Sequence, residues 1–208
     1  GTLGIVTAAV LRLMPRSRHV VTALLAVPSA QAAVSLLSLA QDEIGDTINA
    51  FELMSGSALA LVEAHGGRTL PLPPADWFVL VEAGSSIEGL SGAVEALLAR
   101  ALEEGLAVDG VVAASGAQAA DLMALREHIT EAELKQGRSV KHDVSVPIPA
   151  IPAFLAAAQA AIAERNPGAT TNVFGHVGDG NMHFNVFPGA NDDHAINRTV
   201  HDVVAEFN

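Results

Sequence analysis

The 208-residue sequence lacks cysteine, has few basic residues and contains no long apolar run. Without cysteine, a disulfide framework and thiol chemistry are both excluded. Lysine and arginine number 11 against 23 acidic residues, and the resulting net charge of −12 disfavours nucleic acid or an anionic membrane surface as a partner. No apolar stretch approaches the ~18 residues of a membrane span, and no signal peptide is visible. These absences favour a soluble protein, which we assign to the cytoplasm.

The residues that are present allow a substantial core. Half of them are hydrophobic, which suits one large domain or two small ones. Both ends of the sequence look cut. The first residue is glycine rather than methionine, and residues 192–208 have the pattern of a helix that stops without a cap or a glycine. We therefore expect the chain to be an excerpt of a longer protein.

The spacing of apolar residues predicts an alternation of strands and helices. Predicted strands cover residues 3–14, 19–27, 47–54, 77–82, 108–113 and 140–146, and a hairpin covers residues 171–187. Predicted helices cover residues 57–65, 87–104, 118–135, 152–165 and 192–208, and Ser29 caps a further helix that closes near Gly45. This order predicts an α+β fold of two ferredoxin-like halves, in which duplicated β-α-β units form a mainly antiparallel sheet with helices on one face.

The most informative stretch is the predicted hairpin around Asp179 and Gly180. Asp-Gly favours a two-residue type I′ turn, because both central positions need a positive φ. With that loop His176 pairs directly with His183, and their Cβ atoms lie about 5 Å apart. Side-chain alternation then gives one apolar face for the core and one polar face. The polar face carries Phe174, His176, His183, Asn185 and Phe187.

Two polar features of the predicted strands need an explanation, namely the histidine pair of the hairpin and Glu52. Two imidazoles at the separation of His176 and His183 can converge on one divalent metal. Two ligands do not complete a metal site, so the pairing alone leaves open a pair of solvated histidines on the open face of the hairpin. On another strand, Glu52 needs a partner if that strand is buried.

Basic residues are concentrated in one segment of this acidic chain. The only two lysines, Lys135 and Lys141, lie with two arginines within residues 126–141. On the predicted helix 118–135, Arg126 and Thr130 project from one face and suit a carboxylate, which Lys141 can reach as a point charge. The alternative is that Arg126 pairs with a nearby acid and that the other charges are merely solvated.

Five blocks of sequence resemble the carboxyl-terminal, substrate-side half of the FAD-linked 2-hydroxyacid dehydrogenases of the vanillyl-alcohol oxidase type. Residues 1–7, GTLGIVT, resemble the last signature of the FAD-binding domain, and residues 51–54, FELM, resemble the family's first strand pair. Residues 126–130, REHIT, and 141–147, KHDVSVP, resemble the substrate segments, and residues 176–185, HVGDGNMHFN, resemble the metal hairpin. The blocks follow the family's order and span nearly the whole chain.

This resemblance implies an FAD-dependent enzyme that oxidises a D-2-hydroxy acid to the 2-oxo acid by hydride transfer to flavin. It implies a substrate of the 2-hydroxyglutarate, lactate or glycolate class, and the basic segment favours a dicarboxylate. Residues 1–18 would be the tail of the FAD-binding domain, and residues 19–208 the substrate- and metal-binding domain. The implied cofactor-binding residues are Gly1, Thr2, Gly4 and Ile5. The implied ligands of a zinc ion are His176 and His183. The implied substrate-binding residues are Arg126, Thr130, Lys141 and Asn185.

In that family a third metal ligand and the catalytic base lie beyond the segment that corresponds to this chain. We therefore expect no catalytic base within the chain, weak or absent metal in the isolated polypeptide, and neither retained FAD nor turnover. A second interpretation, from another class, is a non-catalytic ferredoxin-like module that binds a metal or a small ligand or mediates association. Homodimerisation is compatible with both, and the sequence does not indicate the electron acceptor.

Overall fold

The computed structural model describes residues 4–13 and 15–207. Within them the strands are β1 (His19–Val27), β2 (Ile48–Ser55), β3 (Trp77–Ser85), β4 (Asp109–Val112), β5 (Asp143–Ser145), β6 (Thr170–His176) and β7 (Asn181–Phe187). The α-helices are α1 (Ala30–Ile44), α2 (Gly56–Gly66), α3 (Leu90–Glu103), α4 (Gly116–Glu127), α5 (Ile129–Gln136), α6 (Ile151–Arg165) and α7 (Asp193–Glu206). None of the helices in the described part is long and apolar enough to cross a membrane.

All seven strands belong to one antiparallel sheet in the order β4-β1-β3-β2-β6-β7-β5. The first four strands have the order of a ferredoxin-like unit, and β5, α6, β6, β7 and α7 repeat its β-α-β-β-α succession. The pairing of β2 with β6 joins the two halves into a continuous sheet. The predicted α+β class with a mainly antiparallel sheet is confirmed.

Helices cover both faces of the sheet, which differs from the prediction of helices on one face. On one face, Leu25, Leu53 and Phe184 pack in a core with α1, α3, α6 and α7. On the other, Leu24 and Met54 pack with α2, α4 and α5. Apolar side chains at successive strand positions explain this, because neighbouring residues of a strand point to opposite faces and both sets need cover.

Some predicted elements are wrong or incomplete. Residues 4–13 of the predicted strand 3–14 have no regular structure and expose apolar side chains, because no strand in the described part pairs with them. The predicted helix 118–135 is divided at His128, whose ψ of −3° separates α4 from α5. The predicted strand 140–146 is reduced to β5, preceded by a single bridge between Val140 and Val186.

The β6–β7 hairpin has a longer loop than the predicted type I′ turn. Residues 177–179 form a 3₁₀ turn, and Gly180 follows with a φ of 77°. Asp179 cannot be the first central residue of a type I′ turn, because no described residue other than glycine has a positive φ. Its carboxylate instead accepts a hydrogen bond from the Asn181 amide at 3.0 Å. His176 therefore pairs with Asn181 rather than with His183.

A shift of this register by two residues leaves the predicted faces intact. His183 now lies opposite Phe174, and His176 is its diagonal neighbour on the same face. Gly180 is required where the loop meets the chain after β5, because a Cβ atom there would lie 2.2 Å from the Val146 carbonyl oxygen.

Candidate functional site

Polar side chains line up across four neighbouring strands on the face covered by α4 and α5. Glu52 of β2 lies opposite His176 of β6, and Phe174, also on β6, lies opposite His183 of β7. His183 in turn lies opposite Asp143 of the edge strand β5. The antiparallel register thus brings residues that are far apart in sequence onto one surface, which we call the polar face.

Glu52 is the centre of the polar face. Its side chain is 8% exposed, and one of its oxygens accepts a hydrogen bond from Arg126 Nε at 2.9 Å. The other oxygen accepts from His176 Nδ1. The guanidinium of Arg126 lies 4.6 Å above the centroid of the Phe174 ring, a distance suited to a cation–π interaction. The expectation that a buried Glu52 needs a partner is confirmed, and Arg126 is one of its two partners.

The two histidines lie close together with their rings nearly perpendicular, at a centroid separation of 6.0 Å. Because His176 Nδ1 is bonded to Glu52, a neutral His176 ring presents its Nε2 lone pair. His183 Nδ1 lies 3.5 Å from an oxygen of Asp143. Metal-ligating histidines typically donate their second ring nitrogen to a carboxylate, and His176 has such a partner in Glu52.

Partial burial lowers the pKa of His183 below its ordinary value. Asp143 and Glu52 raise this pKa, whereas Arg126 and His176 lower it further. The lowered pKa keeps the ring unprotonated at neutral pH, which is the form that binds a metal. His183 is therefore suited electrostatically to act as a ligand.

Two histidines supply fewer ligands than a protein zinc site needs. Among residues 4–13 and 15–207, no group of three or more histidine, aspartate or glutamate side chains is placed to hold a metal ion. A protein zinc site takes three or four protein ligands. A metal here thus needs at least one ligand beyond His176 and His183. A cleft of about 780 Å³ borders His176 and Glu52 and gives access to this part of the polar face.

A second buried acid, Glu133 of α5, lies over the other end of the polar face. Glu133 is 0% exposed. Asn185 Nδ2 donates to both of its oxygens, at 3.0 and 2.9 Å, and Asn172 Nδ2 donates at 2.7 Å. Lys141 Nζ lies 3.8 Å from the Glu133 carboxylate. Every one of these three partners is a donor, which matches the ionised, acceptor-only form of the carboxyl group.

The structure brings three of the four predicted substrate-binding residues to the polar face. Arg126 is paired with Glu52, and both Lys141 and Asn185 contact Glu133. Thr130 is exposed, on the first turn of α5. The predicted common face of Arg126 and Thr130 assumed one continuous helix, and the division at His128 removes that assumption.

The basic segment is largely neutralised. Besides the pairs of Arg126 and Lys141, Lys135 forms an ion pair with Glu131 at 2.8 Å. Arg138 pairs with Asp193 of α7. Arg126 thus pairs with an acid, as the alternative held, although Glu52 lies far away in sequence. The other cations, which that alternative left merely solvated, are also paired, and the segment is not an open basic patch.

The predicted cofactor-binding residues lie away from the polar face or outside the described residues. Gly4 and Ile5 are exposed in the segment without regular structure, and Gly1 and Thr2 lie outside the part of the chain that the structure describes. The sequence prediction did not include Glu133. Glu133 lies four residues after Ile129 and thus on the same side of α5, and this spacing from an apolar residue was the available signal.

The fold occurs in solved structures of other proteins. An alkyldihydroxyacetonephosphate synthase superposes on 94% of this chain and 40% of its own, with a TM-score of 0.63 and 10% identity. The 4-ethylphenol oxidase from Gulosibacter chungangensis superposes on 95% of this chain and 44% of its own, with a TM-score of 0.60 and 15% identity. At such identities the likeness concerns the fold alone.

The family model for FAD linked oxidases, C-terminal domain, matches residues 16–208, and the chain belongs to this family. It is 39% identical over 186 residues to a D-2-hydroxyglutarate dehydrogenase of Xanthomonas citri pv. viticola, covering 89% of this chain and 39% of that protein. It is 32% identical over 187 residues to the mitochondrial D-2-hydroxyglutarate dehydrogenase of Rattus norvegicus, covering 89% of this chain and 35% of that protein. The chain therefore spans less than half the length of these relatives.

Proposed function

We propose that the chain is the substrate-binding part of an FAD-dependent dehydrogenase that oxidises a D-2-hydroxy acid to the corresponding 2-oxo acid. The observation that carries this proposal is the convergence of His176, His183, Arg126, Lys141 and Asn185 on one polar face of a domain of the FAD-linked oxidase family. The names of the relatives support 2-hydroxy acids as the substrate class.

The histidines form the part of the site that holds the reacting end of the substrate. His176 and His183 supply two ligands to a divalent metal, zinc in our proposal, and a further ligand comes from outside the described residues. Such a metal would lower the pKa of a bound hydroxyl and favour loss of its proton, and FAD would accept the hydride. Glu52 orients the ring of His176 through its Nδ1 atom, and a carboxylate oxygen of Asp143 lies 3.5 Å from Nδ1 of His183.

The remaining polar residues orient the rest of the substrate. Arg126 is fixed by Glu52 and by the ring of Phe174, so its guanidinium needs little reordering when an anion approaches. Lys141 is 44% exposed at its side chain and supplies a mobile positive charge beside Asn185. The predicted homodimer and the cytoplasmic location stay predictions from the sequence, which does not indicate the electron acceptor.

An assay of the natural full-length protein tests this function. We expect reduction of an artificial electron acceptor with at least one of D-lactate, glycolate and D-2-hydroxyglutarate, loss of that activity after chelation, and recovery with zinc. The L-enantiomers of lactate and 2-hydroxyglutarate are the controls and should be inactive. A flavin-loaded, metal-replete protein that oxidises none of the three compounds would contradict the proposal.

A further inference from the structure

A second pair of histidines lies where α7 packs on the sheet beside β5. His142 immediately precedes β5 and is buried, and its ring centroid lies 5.8 Å from that of His201 on α7, at an interplanar angle of 75°. His176 and His183 have nearly the same arrangement, at 6.0 Å and 74°. The second pair therefore has the ring geometry of the pair to which we assign a metal.

One nitrogen of the buried His142 ring is held, and the other faces no hydrogen-bond partner. His142 Nδ1 lies 2.8 Å from the carbonyl oxygen of Phe184, which can only accept, so Nδ1 carries the proton and Nε2 has the lone pair. Nε2 is buried, and no described residue makes a hydrogen bond to it. Buried polar atoms nearly always have a partner. A ring whose Nδ1 donates to a backbone carbonyl is also the usual arrangement of a metal-bound histidine.

The flank of α7 that faces His142 carries a further donor. Burial lowers the pKa of His142, whereas the Phe184 carbonyl and the side chain of Asn197 raise it, so Asn197 lies beside the ring. Asn197 is four residues before His201 and therefore on the same side of α7. His201 is exposed, and its ring is free to turn towards a ligand.

The charges around this flank do not oppose a cation. Asp193 lies four residues before Asn197, and its carboxylate pairs with Arg138, so the positive charge of Arg138 is balanced. This ion pair also joins the same flank of α7 to the chain ahead of β5. A cation between His142 and His201 would be a second link between the same two parts of the fold.

We propose that His142, Asn197 and His201 form a second metal site, which binds a zinc ion between α7 and the edge of the sheet. His142 Nε2 and a ring nitrogen of His201 are its nitrogen ligands, the amide oxygen of Asn197 is its third ligand, and water completes four. Two imidazole ligands favour zinc over magnesium or calcium. The third donor is an amide, so the site agrees with the absence of any group of three histidine, aspartate or glutamate ligands in the described residues.

This inference does not rest on the proposed function. The ion is held by neutral ligands only, and the exposed His201 must be ordered to bind it. Its affinity is therefore lower than that of a site with a carboxylate ligand, and the ion dissociates when the protein is desalted. Its effect is to fasten α7 to the sheet, which stabilises the folded protein in proportion to zinc occupancy.

Calorimetric titration of the zinc-replete, desalted full-length protein with zinc tests the proposal. We expect one further zinc ion per chain, a rise in unfolding temperature with added zinc, and no binding of Mg²⁺. In His201→Ala, zinc affinity at this site should fall at least about tenfold, the lower bound of the loss when only the orienting partner of a ligand is removed. Because His201 is exposed, its replacement should leave the unfolding temperature without added zinc unchanged.

Two further variants distinguish ligation from a general effect on α7. His194→Ala is the control, since His194 is an exposed histidine on the same helix, and it should bind the further zinc as wild type does. Asn197→Asp should tighten zinc binding, because a carboxylate adds a negative charge to the ligand set. A gain in affinity cannot result from misfolding.

The outcomes separate this site from the polar face. Wild-type protein that binds no further zinc overturns the proposal, and so does zinc that binds wild type and His201→Ala equally, which is an adventitious ion only. His183→Ala should keep the exchangeable zinc, and its loss there would assign the ion to the polar face and overturn the proposal. None of these results depends on whether the protein oxidises a 2-hydroxy acid.

Discussion

Replacing His176 or His183 by alanine is expected to remove bound metal from the full-length protein and to lower kcat/KM about a thousandfold. A metal that polarises the substrate stabilises the transition state by several kcal/mol, and each 1.4 kcal/mol corresponds to about tenfold in rate. The rings of the two histidines lie close together, and Glu52 orients the ring of His176. Metal analysis and steady-state kinetics measure the two effects.

His194→Ala provides the matched control for the histidine variants. His194 is exposed on α7, where its ring contacts Arg198, and its removal should change neither metal content nor activity. If His176→Ala and His183→Ala retain stoichiometric metal, the assignment of these residues as ligands is wrong. If they lose metal but keep activity, the metal has no part in catalysis.

Glu52→Ala is expected to lower the free energy of unfolding by about 3 kcal/mol, because it leaves Arg126 without its partner in a largely buried position. It should also weaken metal binding about 10- to 100-fold, since Glu52 orients the His176 ring. Urea unfolding and metal titration measure the two effects. Glu52→Gln keeps the shape of the side chain and should retain more stability than Glu52→Ala.

An exposed ion pair gives the control for Glu52. Glu104 pairs with Arg100 on the surface of α3, and Glu104→Ala should cost less than about 1 kcal/mol. Similar losses of stability in the Glu52 and Glu104 variants would contradict the claim that the buried ion pair of Glu52 contributes more stability than an exposed one. Unchanged metal affinity in Glu52→Ala would show that His176 needs no orienting carboxylate.

Elements with strong local signals could be predicted from the sequence. The strand predicted over residues 19–27 is β1, and the predicted cap Ser29 accepts a hydrogen bond from the Ala32 amide at 3.1 Å. The two faces of the hairpin were also predicted, because they depend only on the alternation of side chains. These features are fixed by residues close together in the chain.

Features that depend on distant residues were predicted poorly. The hairpin register depends on a four-residue loop that contacts the chain after β5, and the Asp-Gly signal gave a shorter loop. The basic segment appeared unpaired because its partners, among them Glu52 and Asp193, lie far away in sequence. Residues 4–13 have strand-forming residues but no neighbouring strand in the described part of the chain. Local propensity cannot supply that partner.

Anaerobic mixing of the full-length, metal-replete protein with D-2-hydroxy acids tests the central claim most directly. We predict that the visible absorbance of the oxidised flavin is lost on adding a D-2-hydroxy acid and is retained on adding its L-enantiomer. His176→Ala should keep its flavin oxidised under the same conditions. A wild-type flavin that stays oxidised with D-lactate, glycolate and D-2-hydroxyglutarate would contradict the assignment of the polar face as a 2-hydroxy acid site.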